Sequence, residues 1–175
     1  MEQELERFGA EMAEKLVPAG RPITGRRAAG EIRAALEAVT RLRGEVSRRT
    51  EPPHAAAEWL LDNWYVAQRE GMEGANALKR ARRLREVRID GQREPYVLAL
   101  CRALVGRGEV LDAVSIAAFL VGVRTARPMT ENELAHFFPA LRGALILRLA
   151  QVCRGFGQEG EAGLALRSGC GEQAG

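Results

Sequence analysis

The stretch Pro52-Pro53-His54-Ala55-Ala56-Ala57-Glu58-Trp59-Leu60-Leu61-Asp62-Asn63-Trp64-Tyr65-Val66-Ala67-Gln68-Arg69 decides how this chain is read. It carries both tryptophans and one of the two tyrosines of a 175-residue chain in which aromatics make up only 5%. The paired prolines stop whatever precedes them and suit a helix start, where a missing amide costs nothing. At about 100° per residue, Ala56, Trp59, Leu60, Asn63, Trp64 and Ala67 share one broad face. Glu58, Asp62, Tyr65 and Arg69 lie opposite. Asn63 falls inside the apolar arc, and a buried amide needs a partner. A proline inside a helix leaves the carbonyl one turn back unpaired. The spacing therefore predicts that Asn63 pins this helix to the Ala135 carbonyl at a break before Pro139, with the turn at Gly91 to Pro95 as the second choice.

On the N-terminal side, Leu5, Phe8, Met12 and Leu16 form a narrow helical stripe that Pro18, Gly20 and Pro22 end. Thr24 is placed to cap a second helix, in which Ile32, Leu36 (or Ala35), Val39, Leu42 and Val46 recur at helical spacing. On the C-terminal side, Gly71 and Gly74 are expected to loosen the chain. Lys79 to Arg88 is the most basic run, and Leu78, Leu84 (or Ala81) and Val87 within or beside it read as the dry side of an amphipathic helix. Asp90-Gly91 reads as a turn. Glu94-Pro95-Tyr96 then opens an apolar helix through Val105, and Val110 to Arg124, apolar nearly all round, is expected to be the most buried helix.

Thr130-Glu131-Asn132-Glu133 matches a capping box. After it, Leu134, Phe138, Leu141, Leu145, Leu149 and Val152 follow one seam, with a kink or short break expected before Pro139. From Gly155 the glycine frequency rises and apolar residues thin out, which predicts a flexible tail. No stretch alternates long enough to predict a strand. The sequence thus predicts an all-α fold, an antiparallel multi-helix bundle with a glycine-rich C-terminal tail. Its parts are N-terminal helices over 1–50, a helical domain over 51–154 and a disordered tail over 155–175. The expected core is Trp59, Leu60, Trp64, Leu98, Val114, Phe119, Leu134, Leu141 and Leu145.

Composition bounds the function. A net charge of +3 and a pI near 9 rest on arginine, lysine occurring only at Lys15 and Lys79. Cys101, Cys153 and Cys170 are odd in number and show no CxxC spacing, which fits buried thiols in a reducing, cytoplasmic setting. No apolar run reaches the ~20 residues of a spanning helix, and the acidic start (Glu2, Glu4, Glu6) is not a secretory signal.

Catalytic chemistry is hard to place. Glu58 and Asp62 are one turn apart, a spacing that can bring two carboxylates together. With no second element to form a pocket, they read as a solvated face. His54 and His136 lack any metal-ligand spacing and read as surface or cap residues. No phosphate-loop or dinucleotide motif occurs. No catalytic, cofactor-binding or metal-binding residue is therefore assigned, and no cofactor is expected. Lys79 to Arg88 could follow a phosphate backbone, but no aromatic stacking platform accompanies it, so nucleic acid is not the expected partner.

Two ordered blocks carry a resemblance. Ala56-Ala57-Glu58-Trp59-Leu60-Leu61-Asp62-Asn63-Trp64 resembles the AAEWLLDN helix near the start of cyclic β-1,2-glucan synthases. The basic segment and the Glu94-Pro95-Tyr96 step into an apolar helix follow in that family's order. Pro128 to Leu149 then resembles its PLTIGELWALPxxLRxALIxxL block, with His136-Phe137 in place of Ala-Leu. The resemblance covers about residues 52–154. It implies a non-catalytic helical segment related to the N-terminal region of a bacterial inner-membrane glycosyltransferase that transfers glucose from UDP-glucose to a β-1,2-glucan. A glycosyltransferase domain is then the expected partner. The chain would be a fragment or a stand-alone paralogue, and it would not be catalytic by itself. The competing reading is a stand-alone helical adaptor or weak nucleic-acid-binding module that uses 79–88.

Overall fold

The computed structural model describes residues 1–49 and 55–169 and is mainly α-helical, with 74% helix and one small sheet. In chain order the elements are α1 (Glu2–Lys15), α2 (Arg26–Ser47), α3 (Ala55–Arg80), β1 (Glu86–Ile89), β2 (Gln92–Pro95), α4 (Tyr96–Gly106), α5 (Ala113–Ala126), α6 (Glu131–Ala135) and α7 (Phe137–Gly169). The glycine-rich segment expected to form a tail continues α7 over 155–169, and 170–175 lie outside the described residues.

The most deeply buried helix is α4. From Tyr96 to Cys101 every residue is buried, as are Leu104 and Val105. It packs on α7, which packs in turn on α2 and α3. The pair α1 and α5 closes the other side. The expectation that Val110 to Arg124 would be most buried is overturned: Val114 and Val121 are 55% and 50% exposed. α5 has one partner face, against α1, and its continuous apolarity conceals that its other side is uncovered.

Stripes of three-to-four spacing fared well where the helix is covered on one side. Leu5 of α1 and Ile32, Leu36 and Val39 of α2 are buried as expected, with Phe8, Met12, Leu16 and Leu42 packed against them. In α3 the buried line is Leu60, Trp64, Gly71, Gly74, Ala75 and Leu78. Trp59, expected in the core, is 54% exposed, because the covered arc of α3 is narrow and turned away from it. Asn63 sits on the edge of that arc. It donates from Nδ2 to the Trp59 carbonyl of its own helix at 2.9 Å, so it does not reach Ala135 or pin α3 to the break.

That break is real nonetheless. α6 ends at Ala135, His136 caps it, and α7 begins at Phe137, so Pro139 lies in a first turn where no amide is required. The Thr130 capping box forms as expected: Thr130 Oγ1 accepts from the Glu133 amide and a Glu133 carboxylate oxygen accepts from the Thr130 amide. A second box at Asp112 and Ser115 starts α5. Thr24 does not cap α2; Gly25 holds that position and offers no side chain.

The all-α expectation misses a hairpin. Asp90 and Gly91 both have positive φ, 50° and 77°, which gives the two-residue turn whose twist matches paired strands. Glu86 pairs with Pro95 and Ile89 with Gln92. Ile23 adds a bridge to Leu84, with mutual amide-to-carbonyl bonds of 2.8 and 2.9 Å. Lys79 to Arg88 is therefore not one amphipathic helix. It leaves α3 at Arg80, turns at Arg82 and Arg83, and enters β1.

Glycine governs how closely the helices approach. A Cβ on Gly9 would lie 2.2 Å from the Phe119 carbonyl oxygen, and one on Gly122 would lie 1.8 Å from that of Glu6. Each glycine of α1 and α5 thus receives the partner's backbone. Gly71 and Gly74 do not loosen α3. They admit Ile146 and the Pro139 carbonyl, at 2.8 and 2.9 Å from the added Cβ. Gly122→Ala gains about 1 kcal/mol of helix propensity but overpacks rigid backbone, which typically costs ~1–3 kcal/mol. It should lower the melting midpoint. Gly30→Ala, in α2 with nothing within 4 Å of the new Cβ, should raise it. Equal shifts of one sign in thermal melts would refute the close approach.

Candidate functional site

Two features of the described surface can act on something outside the chain. One is a cavity of about 590 Å³ lined by Arg26, Arg33, Asn76, Lys79, Arg80 and Arg82. Arg26 and Arg33 stand seven residues apart on α2, and Asn76, Lys79 and Arg80 occupy one face of the last turns of α3. Arg82 comes from the turn beyond. Arg33 Nη2 donates to Asn76 Oδ1 at 2.7 Å, which orients the guanidinium, and its Nε is buried without a partner. Among the described residues, none of these five cations has a carboxylate within ion-pair distance.

The rest of the basic run behaves differently. Arg85 turns inward and meets Glu133, which is fully buried, through Nε at 2.9 Å and Nη2 at 2.6 Å. The Arg85 amide donates to the same carboxylate, and Nη2 also donates to the Pro128 carbonyl. The guanidinium lies 4.8 Å from the Tyr96 ring centre. Tyr96 donates its hydroxyl to the Arg127 carbonyl at 3.0 Å, and Arg127 Nε donates to the Ala13 carbonyl at 3.1 Å. Burial works against the Glu133 charge, but the Arg85 guanidinium and the Thr130 and Arg85 amides prevail and hold its carboxyl below the usual range. Burial pushes the Tyr96 phenol up to about 12. This network is structural.

The second feature is apolar. Phe138, Leu145 and Val152 recur every seven residues on α7 and are 61%, 45% and 40% exposed, with Leu134 of α6 similarly open. Leu134 and Leu145 were expected in the core. Of that seam, Leu141 is buried, because α7 turns Ala140, Leu141 and Ala144 inward and leaves the neighbouring line uncovered.

The remaining candidates resolve simply. Glu58 and Asp62 are exposed. His136 Nδ1 lies 2.7 Å from the Asn132 carbonyl at the end of α6, a cap role. Cys101 and Cys153 are free and buried, and burial raises both thiols, which suits packing rather than nucleophilic work. His54 and Cys170 lie outside the described residues. Among the described residues no group of His, Cys, Asp and Glu could hold a metal ion, and no helix is long and apolar enough to cross a membrane. Compared with family models, curated proteins and solved structures, the chain matches none.

The Glu133 carboxyl titrates lower in the fold than when unfolded, so its contribution is complete above about pH 4.5 and is lost as pH falls through the folded value. Glu94 has the opposite sign. Burial raises its carboxyl despite the Arg102 pair, so it disfavours the fold as pH rises past the ordinary glutamate range. Glu133→Gln should therefore flatten the acid limb of the stability curve. At neutral pH it should cost toward the lower end of the ~3–5 kcal/mol typical of a broken buried pair, since Arg85 is 29% exposed. Denaturant melts at pH 4 and 7 test both. An unchanged acid limb would remove Glu133 from the account.

Proposed function

We propose that the chain is a non-catalytic helical module, similar to the N-terminal region of cyclic β-1,2-glucan synthases, which docks on a glycosyltransferase. The observation that carries docking is the uncovered line of Leu134, Phe138, Leu145 and Val152. A soluble surface does not ordinarily keep such a stripe open without a partner. Family membership rests on the ordered sequence blocks alone. The fold is compatible with it, because the two blocks lie on helices that touch. Gly74 of α3 meets Pro139, and Arg142 of α7 pairs with Glu70 and Glu73 at 3.0 and 3.4 Å.

The finer architecture belongs to the same reading. We take α2, α3 and α7 as an antiparallel bundle. Gly71 meets Ile146 and Gly74 meets Pro139, so the contacts run in opposite senses along α3 and α7. The compartment we assign is cytoplasmic, which the two free thiols suit.

The test uses a cyclic β-1,2-glucan synthase from which its own N-terminal helical region has been removed. The chain should co-elute with it and should transfer no glucose from UDP-glucose by itself. Phe138→Glu combined with Leu145→Glu should abolish co-elution while leaving the melt within a few degrees, both sites being exposed. Failure to co-elute, or transfer by the isolated chain, would overturn the proposal.

A further inference from the structure

Five cations around one cavity, with no carboxylate at ion-pair distance among the described residues, call for a reason, since like charges so placed repel. Helix ends explain only part of the arrangement. Lys79 and Arg80 complement the negative C-terminal end of α3, as basic residues commonly do. Arg26 does the reverse. It is the first residue of α2, where the helix end is already positive, where the first turn has no acidic residue, and where Gly25 supplies no side-chain cap. Arg33 keeps a buried Nε without a partner while Asn76 holds its outer edge. The chain has the means to neutralise such charges. It pairs Arg93 with Glu86, Arg102 with Glu94 and Arg85 with Glu133 a few residues further on.

We infer that this cavity binds a compact phosphate ester carrying more than one negative charge, of the diphosphate class. The stoichiometry of charge favours it over a carboxylate: one carboxylate leaves four cations unmatched, whereas a diphosphate group neutralises two or three. Guanidinium forks fit pairs of phosphate oxygens, and three of the lining cations that are not complements of a helix C-terminus are arginines. The volume suits a small molecule. No aromatic side chain lines the cavity, so nothing there stacks on a base, and recognition is of the phosphates rather than of a nucleic-acid strand. The ester can belong to a free metabolite or to a lipid headgroup, and the phosphate chemistry is the same. This site is separate from the apolar line on α6 and α7 and does not depend on the docking proposal.

The experiment titrates the full chain with inorganic diphosphate by calorimetry at low and at physiological salt. Saturable binding of one diphosphate per chain is expected, weakening as salt rises. Arg26→Gln combined with Arg82→Gln, both exposed, should weaken it at least tenfold, about 1.4 kcal/mol. Arg33→Gln should do the same. Arg41→Gln combined with Arg43→Gln, elsewhere on α2, removes the same charge and should change affinity less than twofold. Equal weakening by the two double variants would reduce the effect to net charge and overturn the site. Sedimentation with phosphatidylcholine vesicles carrying a polyprenyl diphosphate separates the sources: sedimentation lost in Arg26→Gln/Arg82→Gln assigns the ester to a lipid, and binding of inorganic diphosphate without sedimentation assigns it to a soluble compound. Absence of both overturns the proposal. So does affinity for single-stranded RNA that grows with strand length and is not displaced by diphosphate.

Discussion

The Arg85–Glu133 pair is the constraint on which the rest of the structure depends. Glu133 is bound at once to the cap of α6, the entry to β1 and the guanidinium that lies over Tyr96. Tyr96 is the first residue of the central helix, and its hydroxyl reaches Arg127, which reaches α1. One carboxylate therefore joins segments 48 residues apart and, through two further hydrogen bonds, fixes where four helices begin or end. A buried ion pair seldom adds much net stability, because desolvation cancels most of the attraction. What this one supplies is specificity of position: an uncompensated charge at either end penalises every arrangement in which the hairpin and α6 do not meet.

Much of the local structure was legible because it is written in local chemistry. The Thr130 capping box needs only the residues from 130 to 133, and the break before Pro139 needs only the geometry of proline. The core stripes of α1 and α2 follow from period alone. What failed has a common cause. Periodicity states which residues could share a face and leaves open whether another element covers it. Trp59, Val114, Leu134 and Leu145 all satisfy the helical spacing, and all lie on sides left exposed among the described residues. The hairpin was lost for a different reason. Its strands are four residues long, too short for alternation, and their polar positions belong to the ion pairs of Glu86 and Glu94.

The cavity was half visible. The basic run from Lys79 to Arg88 marks its rim, but the run divides: Lys79, Arg80 and Arg82 face the cavity while Arg85 serves the interior. Arg26 and Arg33 come from another helix, α2, where a seven-residue spacing puts them on one side. Nothing in the linear pattern joins them to Asn76, because that juxtaposition is made by α2 and α3 lying together, with Gly25 against the Leu78 carbonyl.

The reciprocal glycines of α1 and α5 carry a consequence for how the molecule assembles. Their contact joins residues at widely separated points of the chain, as does the bond from Arg127 to Ala13, 114 residues apart. Closing so long a loop costs entropy that only completed contacts return. The remaining helices meet among themselves through α4 and α7, whereas α5 is held by α1 and α1 meets the rest of the fold mainly at α4, so the pair is joined to the core along one narrow seam. The pair should behave as a separate cooperative unit, the last to form and the first to open, with amide protons that exchange well before those of α4. A transient opening of that kind would bare the far side of the central helix without unfolding it, and would leave the surfaces on α3, α6 and α7 intact.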